Sequence, residues 1–207
     1  MTHQLTNPVT KTLITKLRDQ RTDAFVFRHT IKEITKQLAY EALNNVETVK
    51  KDITTWQGQN SFDTLNESDL LVVTVLRAGL PMIESITDLL PDISAGFLAM
   101  KRDETTHESV LYYDRVPNCK GKTILLVDPM LATGGSMTDA IELLKTKEPS
   151  KIIGLNIIGS PEGIKNIEEK HPDVDIFISQ IDEKLNNDKF IIPGLGDAGD
   201  RSYNTVE

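Results

Sequence analysis

Cysteine is almost missing from these 207 residues: Cys119 stands alone, which excludes an internal disulfide framework and any cysteine-based metal cluster. It falls in a polar Pro-Asn-Cys-Lys-Gly turn and reads as incidental rather than nucleophilic. No apolar run approaches the roughly 20 residues that cross a bilayer, and residues 1 to 20 hold neither a signal-like apolar core nor an Arg-rich transit pattern. A cytoplasmic protein with no membrane partner is expected. Basic residues are outnumbered, 23 Lys and Arg against 31 Asp and Glu, for a formal charge of −8. That balance argues against a nucleic-acid partner, because neutralising phosphates needs basic surface. No repeat, low-complexity tract or composition break divides the chain, so one domain spanning 1–207 is expected. The four histidines lack metal-ligand spacing; His3, His29 and His171 read as structural or surface residues, and His107 as a solvated loop residue. No Gly-Lys-Ser or Gly-Lys-Thr triplet of a Walker loop occurs. Gly194, Gly196 and Gly199 match G-x-G-x-x-G only formally, since the chain ends eight residues later, before the helix, second strand and acid that a dinucleotide site requires.

What is present is a strand, an acid, a small-residue turn and a helix start, in that order, over residues 123 to 136. Ile124 to Val127 form an unbroken aliphatic run, suited to a parallel strand buried on both faces. Asp128 then emerges at the carboxyl end, where open α/β sheets bind ligands. Gly134 and Gly135 permit close backbone approach, and the following helix offers unpaired N–H groups to an anion. The pattern predicts a ribose-phosphate cradle.

Around it, apolar spacing predicts helices over 9–20 and 30–43. Residues 45–68 read as a hairpin or loop around Trp56 and Gly58, with Trp56 as a packing residue. From residue 70, strands (70–76, 95–100, 123–127, 152–158, 174–181) alternate with helices (81–90, 135–145, 161–170), the pattern of an α/β fold with a mostly parallel central sheet flanked by helices. A polar loop over 101–109 leads into a β-arm. The glycine-rich segment 189–201 reads as a short strand, Phe190 to Ile192, and a shaped loop outside the core. Arg77 and Arg102 follow two of the strands at the same sheet edge as Asp128, and a guanidinium fork suits phosphate oxygens.

Asp-Pro-Met-Leu-Ala-Thr-Gly-Gly-Ser at 128–136 and Ile-Ile-Pro-Gly-Leu-Gly-Asp-Ala-Gly-Asp-Arg at 191–201 resemble the two signatures of the uracil phosphoribosyltransferase family, a type I phosphoribosyltransferase. Leu-Arg-Ala-Gly at 76–79, Arg-Asp-x-x-Thr at 102–106, Pro-Glu-Gly at 161–163 and Asp-Glu-Lys-Leu-Asn at 182–186 follow in matching order. The similarity is specific from about residue 70 onward and loose before it. Two departures stand out: no proline follows Arg102, and Asn204 stands where the family has glycine.

The resemblance implies conversion of uracil and 5-phosphoribosyl 1-diphosphate (PRPP) to uridine monophosphate (UMP) and diphosphate, with Mg2+ carried by PRPP and not held directly by side chains. It implies a phosphoribosyltransferase-like fold with N-terminal helices over about 9–43, a core over about 70–181 and a base-binding hood over about 189–201. Arg77 and Arg102 would hold the diphosphate, and Ala132, Thr133, Gly134, Gly135 and Ser136 the 5′-phosphate. Asp128 would accept hydrogen bonds from the ribose hydroxyls, with Pro129, Met130 and Leu131 completing the PRPP-binding run. Ile191, Gly196 and Ala198 would read uracil through backbone groups, with Asp197 turned toward PRPP, and Arg102, Asp128 and Asp197 as the catalytic set. A homodimer or homotetramer, and GTP as an effector, are further implications. The alternative is a non-catalytic sensor of PRPP or UMP with the same fold. A purine phosphoribosyltransferase is disfavoured by Pro129, where that group carries a second acid.

Overall fold

The computed structural model describes residues 1–102 and 109–205, with the side chains of residues 101, 102 and 109 excepted. Most of the expected loop, His107 included, lies outside the described residues. The elements are β1 (Thr2–Gln4), α1 (Pro8–Arg18), α2 (Ala24–Leu43), β2 (Thr48–Thr55), β3 (Gly58–Leu65), β4 (Leu70–Val75), α3 (Leu80–Leu89), β5 (Ser94–Arg102), β6 (Ser109–Arg115), β7 (Thr123–Val127), β8 (Met130–Leu131), α4 (Gly135–Lys145), β9 (Lys151–Gly159), α5 (Pro161–Lys170), β10 (Asp175–Ile181), β11 (Lys184–Leu185), β12 (Ile191–Ile192) and α6 (Ala198–Tyr203).

The main sheet runs β1-β10-β9-β7-β4-β5-β6, with β8 added beside β9. Every pairing is parallel except β5 with β6. Its central strands are buried on both faces, as their unalternated sequences demand: Leu71, Val72, Val73, Ile124, Leu125, Val127 and Leu155 are fully covered. One face packs on α1, α2 and α3 through Leu17, Phe27, Ile31, Leu38, Met82 and Ile86. The other packs on α4 and α5 through Met137, Ile141, Leu144 and Ile167.

The chain runs from β4 to β5 on one side and returns to β7 on the other, so the connections leaving β4 and β7 diverge. Such a divergence opens a crevice at the carboxyl ends of the two strands. Leu76 to Gly79 and Asp128 to Gly134 are the segments that meet there.

Three expectations are corrected. Helix α2 begins six residues before the predicted position 30, because Asp23 accepts a hydrogen bond from the Val26 N–H at 2.8 Å and caps it there. Trp56 is not a packing residue in this chain: it sits at the tip of the β2–β3 hairpin and is 92% exposed. The segment after residue 193 does enter the core, through buried Leu195 and Ala198, and then forms α6, which the glycine count concealed. Strand β1 was not predicted either; three residues with no apolar alternation gain their place by pairing with β10.

Candidate active site

Asp128 is fixed before any ligand is considered. Its N–H donates to the Leu155 carbonyl at 3.1 Å, its carbonyl accepts from Asn156 Nδ2 at 2.8 Å, and its Oδ1 accepts from the Met130 N–H at 3.0 Å. Burial pushes its carboxyl up to about 6, the Met130 N–H works against that rise, and the nearby charge of Asp197 adds to it. The group therefore titrates just below neutral pH.

Beyond Asp128, a cleft of about 260 Å³ is lined by Val75 to Ala78, Met100, Asp128 and residues 130–137. Gly134 adopts φ 78°, a left-handed conformation that turns the chain into α4 with no side-chain cap. Among the described residues, the N–H groups of Ala132, Thr133 and Gly134 have no acceptor, and that of Gly135 reaches only Thr133 Oγ1 at 3.3 Å. A run of free N–H groups at the positive end of a helix is an anion cradle.

The second wall of the cleft comes from the β4–α3 turn. It can close on β7 only because residue 79 is glycine: a Cβ there would fall 1.9 Å from Thr74 Oγ1 and 2.9 Å from the Val127 carbonyl. Arg77 lies at the mouth, half exposed, where its Nη2 donates to Asp200 Oδ1 at 3.0 Å. Arg102 ends β5 at the same edge by its backbone, paired with Ser109.

The C-terminal loop reaches this mouth from the other side. Gly194 and Gly196 hold φ 64° and 80°. Asp197 caps α6 by accepting from the Asp200 N–H at 2.8 Å, and a Cβ on Gly199 would come into ordinary contact with Ala78, at 3.9 Å. Asn204 closes α6 at φ 54° and ψ 40°. A left-handed C-cap favours glycine and next asparagine, so the departure at this position preserves the backbone shape.

Sequence reasoning missed what holds this loop. Arg18 donates to the Gly194 carbonyl at 2.7 Å and makes a two-pronged pair with Asp182 at 2.8 and 2.5 Å, while Asp182 also accepts from the Gly194 N–H at 2.8 Å. Arg201 donates to the carbonyls of Leu17, Asp19 and Leu195, with its guanidinium 4.3 Å from the centroid of the Phe27 ring. A groove of about 470 Å³ runs along the result, lined by Arg18, Gln20, residues 193–197, Asp200 and Arg201. Arg201 lay within a recognised motif; nothing around Arg18 in sequence pointed to a partner 164 residues away.

The structure thus brings Arg77, Asp128 and residues 130–136 into one cleft, with residues 191–198 beside it. A larger cleft of about 700 Å³ lies at the opposite sheet edge, around Thr123, Lys151 and Asp175, and includes none of the predicted site residues.

A family model described as uracil phosphoribosyltransferase matches residues 4–205. The chain belongs to the uracil phosphoribosyltransferase family. The uracil phosphoribosyltransferase of Aquifex aeolicus (strain VF5) is 43% identical over 200 residues, covering 97% of this chain and 96% of its own. That of Dictyoglomus turgidum is also 43% identical over 200 residues, covering 96% and 97%. A solved structure of a protein from Aquifex aeolicus superposes with a TM-score of 0.94 at 43% identity over 98% of both chains. A hypoxanthine phosphoribosyltransferase from Staphylococcus aureus shares the fold at 14% identity, with a TM-score of 0.54 over 81% of this chain and 85% of that one. The uracil phosphoribosyltransferase match therefore extends through the N-terminal third, where motif similarity had been loose. Among the described residues, no helix is long and apolar enough to cross a membrane.

Proposed function

We propose that the chain transfers the phosphoribosyl group of PRPP to N1 of uracil, giving UMP and diphosphate. The observation that carries this reading is the N–H run at 132–134, which has no acceptor among the described residues and opens α4 beside Asp128 at the point where β4 and β7 diverge.

In this reading the 5′-phosphate lies on the backbone N–H groups of Ala132 to Ser136, and the ribose hydroxyls donate to Asp128. Pro129, Met130 and Leu131 set the distance between those two ends. Arg77 and Arg102 take the diphosphate. Uracil meets the backbone of Ile191, Gly196 and Ala198; one Asp197 oxygen caps α6, which leaves the other for PRPP. The bond from C1 to the diphosphate oxygen breaks, the bond from N1 to C1 forms, and the N1 proton is released. Positive charge builds on the sugar and negative charge on the leaving group, so fixed guanidinium groups and an ionised Asp128 stabilise the transition state. Holding N1 in line with C1 supplies much of the remainder.

Among the described residues, no cluster of three or more His, Cys, Asp or Glu side chains could hold a metal. An Mg2+ brought in on the phosphate oxygens of PRPP, the hard donors it prefers, would neutralise charge on the diphosphate. Exposed Trp56, Phe62, Tyr112 and Tyr113 support the homodimer or homotetramer of the same proposal. GTP control belongs to it on family resemblance.

Purified protein with Mg2+, PRPP and uracil is expected to release UMP and diphosphate in equal amounts, and to leave hypoxanthine unconverted. No UMP above the enzyme-free control, or equal turnover of hypoxanthine, would overturn the proposal.

A further inference from the structure

The Pro-Glu-Gly run at 161–163 has no role in the chemistry above, yet it sits directly behind the phosphate loop. Three successive loop carbonyls are taken up by the corner where β9 turns into α5. The Ser160 N–H donates to the Leu131 carbonyl at 3.0 Å, Ser160 Oγ to that of Ala132 at 2.7 Å, and Asn166 Nδ2 to that of Thr133 at 2.9 Å. Ser160 is fully buried, and its Oγ also accepts from the Gly163 N–H at 3.0 Å, which caps α5. Glycine at 163 is what allows the approach: a Cβ there would lie 2.3 Å from the Ala132 carbonyl oxygen and 2.7 Å from that of Leu131.

A trans peptide unit points its C=O and its N–H in opposite directions. Fixing the carbonyls of Leu131, Ala132 and Thr133 toward α5 therefore fixes the N–H groups of Ala132, Thr133 and Gly134 away from it. Those are the three that have no acceptor among the described residues. In extended chain, successive carbonyls alternate in direction, so this shared orientation needs outside donors to hold it.

We propose that Ser160 and Asn166 are positioning residues for phosphoryl recognition: by holding the Ala132 and Thr133 carbonyls they preorganise the anion-binding N–H groups without touching substrate. The inference rests on the reading that this loop takes the 5′-phosphate. Preorganisation of this kind is lost in affinity for the phosphate alone.

The test is calorimetric binding of UMP and of uridine, which differ only by the phosphate, to wild type, Asn166→Ala, Ser160→Ala and Ser160→Thr. Asn166 is only partly buried, so its replacement leaves the core intact. The expected result is a loss of about tenfold in UMP affinity for Asn166→Ala with uridine unchanged, the size of one net hydrogen bond. Ser160→Ala shifts in the same sense and Ser160→Thr, which retains the hydroxyl, restores it. A preference for UMP over uridine that stays at the wild-type ratio in both alanine variants would overturn the proposal, whatever their melting temperatures. Wild-type protein that binds UMP and uridine equally would instead remove the phosphate reading, and this inference with it.

Discussion

Asp128→Asn is expected to lower turnover by roughly 10²–10³-fold, the scale of a lost transition-state partner, and at the same time to make the protein more stable at pH 7. The two effects share one cause. In the unfolded chain this carboxyl ionises at its ordinary 3.8, whereas burial raises it to about 6 in the folded chain. Between those values the folded state binds more protons, so stability falls as pH rises across the window, and the full penalty applies above about 6. Removing the ionisation should return on the order of 1–3 kcal/mol at pH 7, while asparagine can still accept from the Met130 N–H. The stability advantage of the variant should shrink as pH falls toward 4. Wild-type affinity for PRPP should weaken below about pH 6, where the protonated acid no longer accepts freely from ribose hydroxyls, and the variant should show no such step. Thermal unfolding and PRPP titrations at several pH values check this; a variant that melts below wild type at pH 7 would contradict the account of Asp128 as a carboxylate kept ionised at a cost in stability.

Gly194→Ala is expected to damage uracil use selectively. Residue 194 holds φ 64°, and a Cβ there would lie 2.1 Å from the Ile191 carbonyl oxygen, a backbone atom that cannot turn aside. The loop cannot shift as a unit, because Arg18 holds the Gly194 carbonyl and Asp182 its N–H. The strain must therefore fall on residues 191–196, of which Ile191 and Gly196 are assigned to the base. A displacement of about 1 Å at a reacting group costs on the order of 10²-fold in rate. Steady-state kinetics should show a loss of roughly that size in kcat/KM for uracil, with PRPP binding unchanged. Wild-type uracil kinetics would mean that this loop does not receive the base.

The legible part of the molecule was its core. Thr123–Val127, Gly135–Lys145 and Pro161–Lys170 fall where the apolar pattern puts them, since buried parallel strands and amphipathic helices write their environment into neighbouring positions. Asp128 and the 130–136 loop were legible for the same reason: their place follows from the strand before and the helix after. The fold of the C-terminal segment was not. Six residues containing Gly199 make a helix because Asp197 caps it and Arg201 ties it to Leu17, Asp19 and Leu195, and such long-range ties leave no local signal. Arg18 is the clearest case, an ordinary helix-end arginine until Asp182 and Gly194 arrive beside it. The Pro-Glu-Gly motif was visible but unexplained until the loop carbonyls behind it were seen.

One product molecule is expected to span both halves of the carboxyl-edge site, which a crystal structure with UMP bound would show. The phosphate is expected within hydrogen-bonding distance of the Ala132 to Ser136 N–H groups, the ribose hydroxyls on Asp128, and the uracil edge against Ile191, Gly196 and Ala198. UMP seated instead in the 700 Å³ cleft around Thr123, Lys151 and Asp175 would contradict it.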